Sequence, residues 1–311
     1  MNDDAPPPVL VIGESLIDVV RSGDNESRRP GGSPMNVAYG LSRLGVGTRL
    51  LTRIGNDADG EAIVRHLSAA GVTLVDESPH AARTSVSIAT IESGGSANYS
   101  FDIDWALEPF SEPSTSQWIH VGSLATFLAP GADSLERILR SAGPGTLISY
   151  DPNIRPALVG DYHRALSRFE RIAGLAGVVK LSEEDAAWLY PASSEDAIVD
   201  RILSLGPEIV AVTRGAAGAR ISTRHDAVAI EAQEVVVADT IGAGDSFMAA
   251  LISVLLPLNV KSLTSKELGH VARLSVMAAA LTCARTGAQP PSLLELAEAL
   301  RKQSHPGKRT S

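Results

Sequence analysis

With 311 residues, 44% hydrophobic and 20% charged, the chain is long enough for one large α/β domain with a sizeable core, and its composition is that of an ordinary globular protein. A net charge of −9, from 36 acidic against 27 basic residues, argues against the basic face that nucleic acid or an anionic membrane surface needs, so any phosphate site must be local. The single cysteine, Cys283, excludes an intrachain disulfide and a cysteine-based zinc site.

Met1 to Pro8 is acidic and proline-rich and lacks the basic and apolar regions of a secretory signal, so the cytoplasm is the expected compartment. Val9 to Gly13 and Arg49 to Gly55 read as buried strands that deliver loops at their carboxyl ends. Between them Asn36 to Leu44 reads as a helix with Val37, Leu41 and Leu44 on one face. Arg83 to Ile91 and Ala97 to Ile103 alternate apolar with polar residues around Gly94-Gly95, which predicts an antiparallel pair with one exposed face. Further strands are expected at Trp118 to Val121, Thr146 to Tyr150, Gly177 to Leu181 and Ile209 to Thr213, most of them followed by a helical pattern. Repetition of this unit predicts a doubly wound, mostly parallel sheet flanked by helices, in one domain over residues 1–311. A small β lid would project from it, formed from about 14–34 and 83–108, and its exposed edge predicts a homodimer.

The run Asp239-Thr-Ile-Gly-Ala-Gly-Asp-Ser-Phe247 places a small-residue turn and a carboxylate at the start of a helix whose apolar face holds Phe247, Leu251, Val254, Leu255 and Leu258, with Pro257 near its end. Backbone N–H groups at Gly242, Ala243 and Gly244, added to the helix dipole, suit a phosphate or a developing anion. This apolar stretch is too short to span a bilayer. The polar tail from Gln303 to Ser311 is expected to be disordered.

Four segments then fall in the order found in one family. Gly31-Gly-Ser-Pro-Met-Asn-Val-Ala-Tyr-Gly-Leu-Ser-Arg-Leu-Gly45 resembles its N-terminal signature and Asp239 to Phe247 its C-terminal one. Between them, Lys180-Leu-Ser-Glu183 resembles its Asn-x-x-Glu element and Val212-Thr-Arg-Gly-Ala-Ala-Gly218 its nucleotide loop. From Val9 to about Pro291 the chain resembles the ribokinase-like, or PfkB, carbohydrate kinases, nearest the bacterial fructokinases.

The resemblance implies ATP and magnesium as cofactors, a sugar as acceptor, and a role for each matching residue. Asp245 would be the general base, with Gly242, Ala243 and Gly244 as the anion hole. Asp18, on the loop after the first strand, would bind sugar hydroxyls together with Gly31, Gly32 and Asn36. Glu183 would act on magnesium, and Lys180, standing where many members carry Asn, would lie near the ATP phosphates. Thr213, Gly215 and Gly218 would border the nucleotide, and Ala278 would help to form the adenine pocket. Arg155, in Tyr150-Asp-Pro-Asn-Ile-Arg155, resembles the arginine that lies near the transferred phosphate in keto-sugar kinases. Many members also use potassium, for which Asp239 has suitable oxygen chemistry. Ser85 to Asp104 holds no basic residue and offers Asp102, Asp104, Tyr99 and Phe101, which favours a neutral sugar, and the resemblance of Asn153 and Arg155, together with Asp18, puts fructose first. A 2-keto-3-deoxygluconate kinase, a ribokinase or adenosine-type kinase and a catalytically idle sugar-binding protein are the alternatives. Neither a dinucleotide fingerprint nor a Walker-type loop is present.

Overall fold

Four consecutive apolar residues form strand β1 (Val9–Ile12), and all four are buried. Val9 and Val11 pack into one apolar cluster and Leu10 and Ile12 into another, as a strand covered on both faces requires. The computed structural model describes residues 9–75, 80–91, 97–107 and 116–304. After β1 come β2 (Leu16–Ser22), β3 (Asn25–Gly31), α1 (Ser33–Arg43), β4 (Thr48–Leu51), β5 (Ile54–Gly55) and α2 (Ala58–Ala70). Next are β6 (Thr73–Leu74), β7 (His80–Ala81), β8 (Val86–Ile91), β9 (Ala97–Asp102) and β10 (Trp118–Gly122), which ends in a 3-10 turn at Ser123–Thr126. The chain continues through α3 (Gly131–Ser141), β11 (Leu147–Asp151), α4 (Pro156–Val159), α5 (Tyr162–Ala173), β12 (Val178–Ser182), α6 (Glu183–Leu189) and α7 (Glu195–Leu205). It closes with β13 (Ile209–Thr213), β14 (Ala219–Ser222), β15 (Ala227–Ile230), α8 (Ala243–Leu255), α9 (Ser265–Cys283) and α10 (Leu293–Ser304).

Among the described residues nine strands make the main sheet, in the order β15-β14-β13-β12-β11-β10-β1-β4-β6. Neighbours from β13 to β6 are parallel, and β14 and β15 are antiparallel additions at one edge. Residues of α1, α2, α8, α9 and α10 cover one face, represented by Val37, Ile63, Leu251, Val271 and Leu296. The other face is covered from α3, α5, α6 and α7 by Leu135, Phe169, Leu189 and Ile202. The chain steps outward from β1 through β4 on one side and from β10 through β11 on the other, so strand order reverses between β1 and β10. At such a reversal the connections diverge to opposite faces and leave a crevice beyond the strand ends.

The lid is a second sheet of order β3-β2-β8-β9, in which β2 and β8 run parallel and the outer pairs antiparallel. The expected turn at Gly94-Gly95 lies outside the described residues. Asp18 stands on β2, not on a loop, because Leu16 follows β1 after only Gly13, Glu14 and Ser15. Helix α1 starts at Ser33, three residues before the apolar period suggests, with Gly32 as N-cap and Pro34 in the first turn, where its missing N–H costs nothing. The expected strand from Arg49 splits, because β5 leaves the main sheet to pair with β7. Helix α10 carries Arg301 and Lys302 in its last turn and takes Gln303 and Ser304 out of the expected disordered tail, and 305–311 lie outside the described residues. No helix among the described residues is long and apolar enough to cross a membrane.

Candidate active site

Where β1 and β10 end, Glu14 and Ser123 help to line a cavity of about 390 Å³, with Asp18 and Phe101 entering from the lid. Asp245 closes its inner end, only 8% exposed in the first turn of α8. Its Oδ1 accepts the Ser33 hydroxyl at 2.6 Å and its Oδ2 the Asn36 amide at 2.8 Å, so α1 fixes both oxygens. Burial raises the pKa of Asp245, opposed by these two hydrogen bonds and by the positive charges of Lys180 and Arg155. Asp18 is likewise raised, first by burial, with Ser87 and Arg155 acting the other way.

A second cavity of about 580 Å³ opens beyond β12 and β13. Its walls include Ser182, Glu184, Asp185, Thr213, Gly215 and Gly218 on one side and Val276, Ala279, Ala280 and Cys283 of α9 on the other. Asn153, Lys180, Thr240 and Gly244 line both cavities, which makes them the partition between the two. A Cβ on Gly244 would lie 3.0 Å from the Lys180 Nζ, so the ammonium is held against the start of α8.

Lys180 is placed by a buried ion pair. Its Nζ donates to Asp151 Oδ2 at 2.9 Å, with the two side chains 5% and 1% exposed. Burial pushes Asp151 up to about 6, against the pull of Lys180. Burial alone would lower Lys180, but Asp151, Asp185 and Asp245 outweigh it and keep the ammonium charged. Ser182 and Asp185 form a capping box at the start of α6, and Asp185 Oδ1 also accepts the Ile154 N–H at 2.7 Å. That contact pins the loop bearing Asn153, whose φ of 37° is left-handed, and Arg155.

Thirteen of the residues expected from the sequence to form the site can be followed to one or other cavity or its edge. Asp18, Gly32, Asn36, Arg155, Gly242, Gly244 and Asp245 line the first cavity, Thr213, Gly215, Gly218 and Ala243 the second, and Lys180 both. Gly31 serves from beneath: a Cβ there would fall 2.1 Å from the Asp18 carboxylate. The Ala243 N–H is already donated to the Thr240 carbonyl at 3.2 Å. Three more expected residues lie outside both linings. Glu183, exposed like its neighbour Glu184, lines neither cavity, whereas Glu184 and Asp185 stand in the wall of the second. Ala278 is fully buried in the core, and its neighbours Ala279 and Ala280 face the cavity. Asp239 lies outside both linings and binds the turn itself, accepting from Ile241 N–H at 3.0 Å and Gly287 N–H at 2.8 Å, which hold its pKa low against partial burial. Glu14, Ser33 and Asp151 were given no role from the sequence, although Ser33 lies inside the Gly31 to Gly45 segment and Asp151 inside the Tyr150 to Arg155 element.

Among the described residues no group of three or more His, Cys, Asp or Glu could hold a metal ion. Magnesium carried in on phosphates needs only one or two carboxylates from the protein. Glu184 in the wall and Asp151 Oδ1, buried and without a hydrogen-bond partner among the described residues, are suitable donors.

The model of the pfkB family carbohydrate kinases matches residues 8–295. Fructokinase of Klebsiella pneumoniae is 33% identical over 262 residues, covering 79% of this chain and 83% of its own. Fructokinase of Xylella fastidiosa with bound ATP superposes with a TM-score of 0.82 over 96% of this chain and 99% of its own, at 23% identity. A double mutant of Vibrio cholerae O395 fructokinase, in its fructose, ADP and potassium ion bound form, gives a TM-score of 0.79 over 96% and 99% of the two chains, at 26% identity.

Proposed function

The chain belongs to the pfkB family of carbohydrate kinases, and on that premise we propose that it transfers the γ-phosphoryl group of ATP to a hydroxyl of fructose. The observation that carries this reading is the buried carboxylate of Asp245, beside the partition of a cavity with sugar-like chemistry and one large enough for a nucleotide. The sugar would lie against Asp18, Asn36 and Asn153, whose amides and carboxylate match hydroxyl groups. One hydroxyl oxygen forms a bond to the γ-phosphorus as the bond from that phosphorus to the bridging oxygen of ADP breaks, and the hydroxyl proton passes to Asp245. N–H groups at the start of α8, Lys180 and Arg155 supply positive charge to the phosphoryl oxygens in flight. Magnesium, when bound with the nucleotide, neutralises phosphate charge.

Several features support fructose over an acidic sugar. Ser85 to Asp104 contributes no Lys or Arg, and the nearby cations Arg83 and Arg53 are paired with Asp102 at 2.5 Å and Asp104 at 3.0 Å. Fructokinases among the relatives point the same way. ADP release should therefore be about tenfold or more faster with fructose than with ribose, adenosine, 2-keto-3-deoxygluconate or fructose 6-phosphate, the scale expected when a site leaves polar partners unmatched. Equal or greater release with one of the others would replace fructose, and no release with any would leave the idle binding protein. Repeating the panel with potassium in place of sodium tests Asp239, whose turn also receives the guanidinium of Arg29 near Gly287.

Self-association through the lid belongs to the same reading. Strands β3 and β9 are sheet edges, and Val20 and Tyr99 are exposed by 42% and 66%. Light scattering should give the mass of two chains, and a stable single-chain mass would remove the proposal.

A further inference from the structure

Glu14 has no part in the transfer described above, yet three segments meet on it. It is 3% exposed, its Oε2 accepts the Ala125 N–H at 2.9 Å, and its carboxylate takes a further hydrogen bond from the Ser123 hydroxyl. Ser123 is a non-glycine residue with φ of 52°, a conformation that persists only where the surroundings fix it, and with Leu124 it walls the sugar cavity. On the other side, the Glu14 carbonyl touches the joint between lid and body: at Gly32, where φ is 108°, a Cβ would lie 2.6 Å from that oxygen. The helix that starts at this joint carries Ser33 and Asn36 to Asp245.

We propose that Glu14 is a positioning residue of the sugar site, holding the Ser123 turn and the Gly32 joint in register so that its loss weakens sugar capture more than phosphoryl transfer. The proposal rests on the sugar-kinase reading. Burial pushes the Glu14 carboxyl up to about 7, opposed by Ser123 and Ala125 and assisted by the charge of Asp245 on α8. Asp18 from the lid, Arg155 from the loop after β11 and Lys180 from β12 are the other charged groups around the cavity. Because the folded carboxyl keeps its proton to about 7 and the unfolded one releases it near 4.5, stability falls as pH rises between those values and the loss is complete above them. The ionised carboxylate is the stronger acceptor for Ser123 and Ala125, so sugar affinity moves the opposite way and sugar KM falls as pH rises through 7. An acid with a merely structural role would move both together.

Wild type, Glu14→Gln and Glu14→Ala are compared in two ways: ligand-free hydrogen exchange over 123–126, and sugar KM and kcat from about pH 6 to about pH 8.5. Glu14→Ala should speed exchange and raise sugar KM by about tenfold, with kcat within about threefold, since one charge-assisted hydrogen-bond acceptor is lost. Glu14→Gln keeps an acceptor oxygen, so it should lose less, about threefold in KM, and the fall in its KM through pH 7 should be lost. Unchanged exchange in both variants, an unaltered KM in Glu14→Ala, or a wild-type pH profile in Glu14→Gln would overturn the proposal. If Glu14→Ala does not fold, the profile of Glu14→Gln decides. A wild-type protein that phosphorylates no sugar would sink the kinase reading and the sugar role with it, whereas faster exchange in the variants would still establish the tether.

Discussion

Asp245→Asn should lower kcat by about 10²- to 10⁴-fold, the range for removing a general base, with both KM values within a few-fold of wild type. The substitution suits the test because the site can accept an amide. The Asn36 amide can still donate to the remaining oxygen, and the Ser33 hydroxyl can turn from donor to acceptor for the new NH₂. Stability should not fall. Burial raises the folded pKa of Asp245 above its unfolded value, so the carboxylate costs stability once pH exceeds the unfolded value, and the neutral amide removes that cost. A folded Asp245→Asn protein turning over within tenfold of wild type would defeat the assignment of the base.

Lys180→Met should show two effects that a second substitution separates. Without its ammonium, Asp151 remains 1% exposed with no counter-charge, and breaking a buried pair from one side costs about 3–5 kcal/mol. For a chain of this size that corresponds to a Tm lower by on the order of 5–10 °C. The deficit should grow from low to high pH, because the unpartnered Asp151 carboxyl keeps its proton in the folded state to a higher pH than it does beside Lys180. ATP KM should rise by about 10- to 100-fold, the value of a charged hydrogen bond to phosphate. Adding Asp151→Asn should restore most of the lost stability, since the amide no longer needs a counter-charge, but not the ATP KM. Recovery of both would mean that Lys180 acts on the fold and not on the nucleotide.

The strands of the main sheet could be read from the chain because buried parallel strands are continuous apolar runs, and all six expected runs lie in it at least in part. The glycine turn at Gly242 to Gly244 and Asp245 were marked for a different reason: small residues run straight into a helix with an acid inside its first turn. What failed was phase. Glu183, Glu184 and Asp185 are three adjacent acids, and only the capping box at Ser182 decides which of them face the cavity. In α9 the run Ala278-Ala-Ala280 is small on every side, so nothing in its residue types marks which face packs into the core and which borders the second cavity. Glu14 and Asp151 were silent because their importance lies in contacts with residues 111 and 29 positions away.

The division of labour along the chain has a bearing on how such an enzyme diverges. Asp18, Ser87 and Phe101, which reach the first cavity, sit on two excursions that leave and rejoin the parallel sheet, whereas the second cavity is walled by β12, β13 and α9, joined by the loops at 215–218 and 232–237. Heritable change in the lid can therefore alter which hydroxyl compound is accepted while the donor side is inherited intact. A change on the donor side would fall in part on β12, β13 and α9, whose other residues pack in the core.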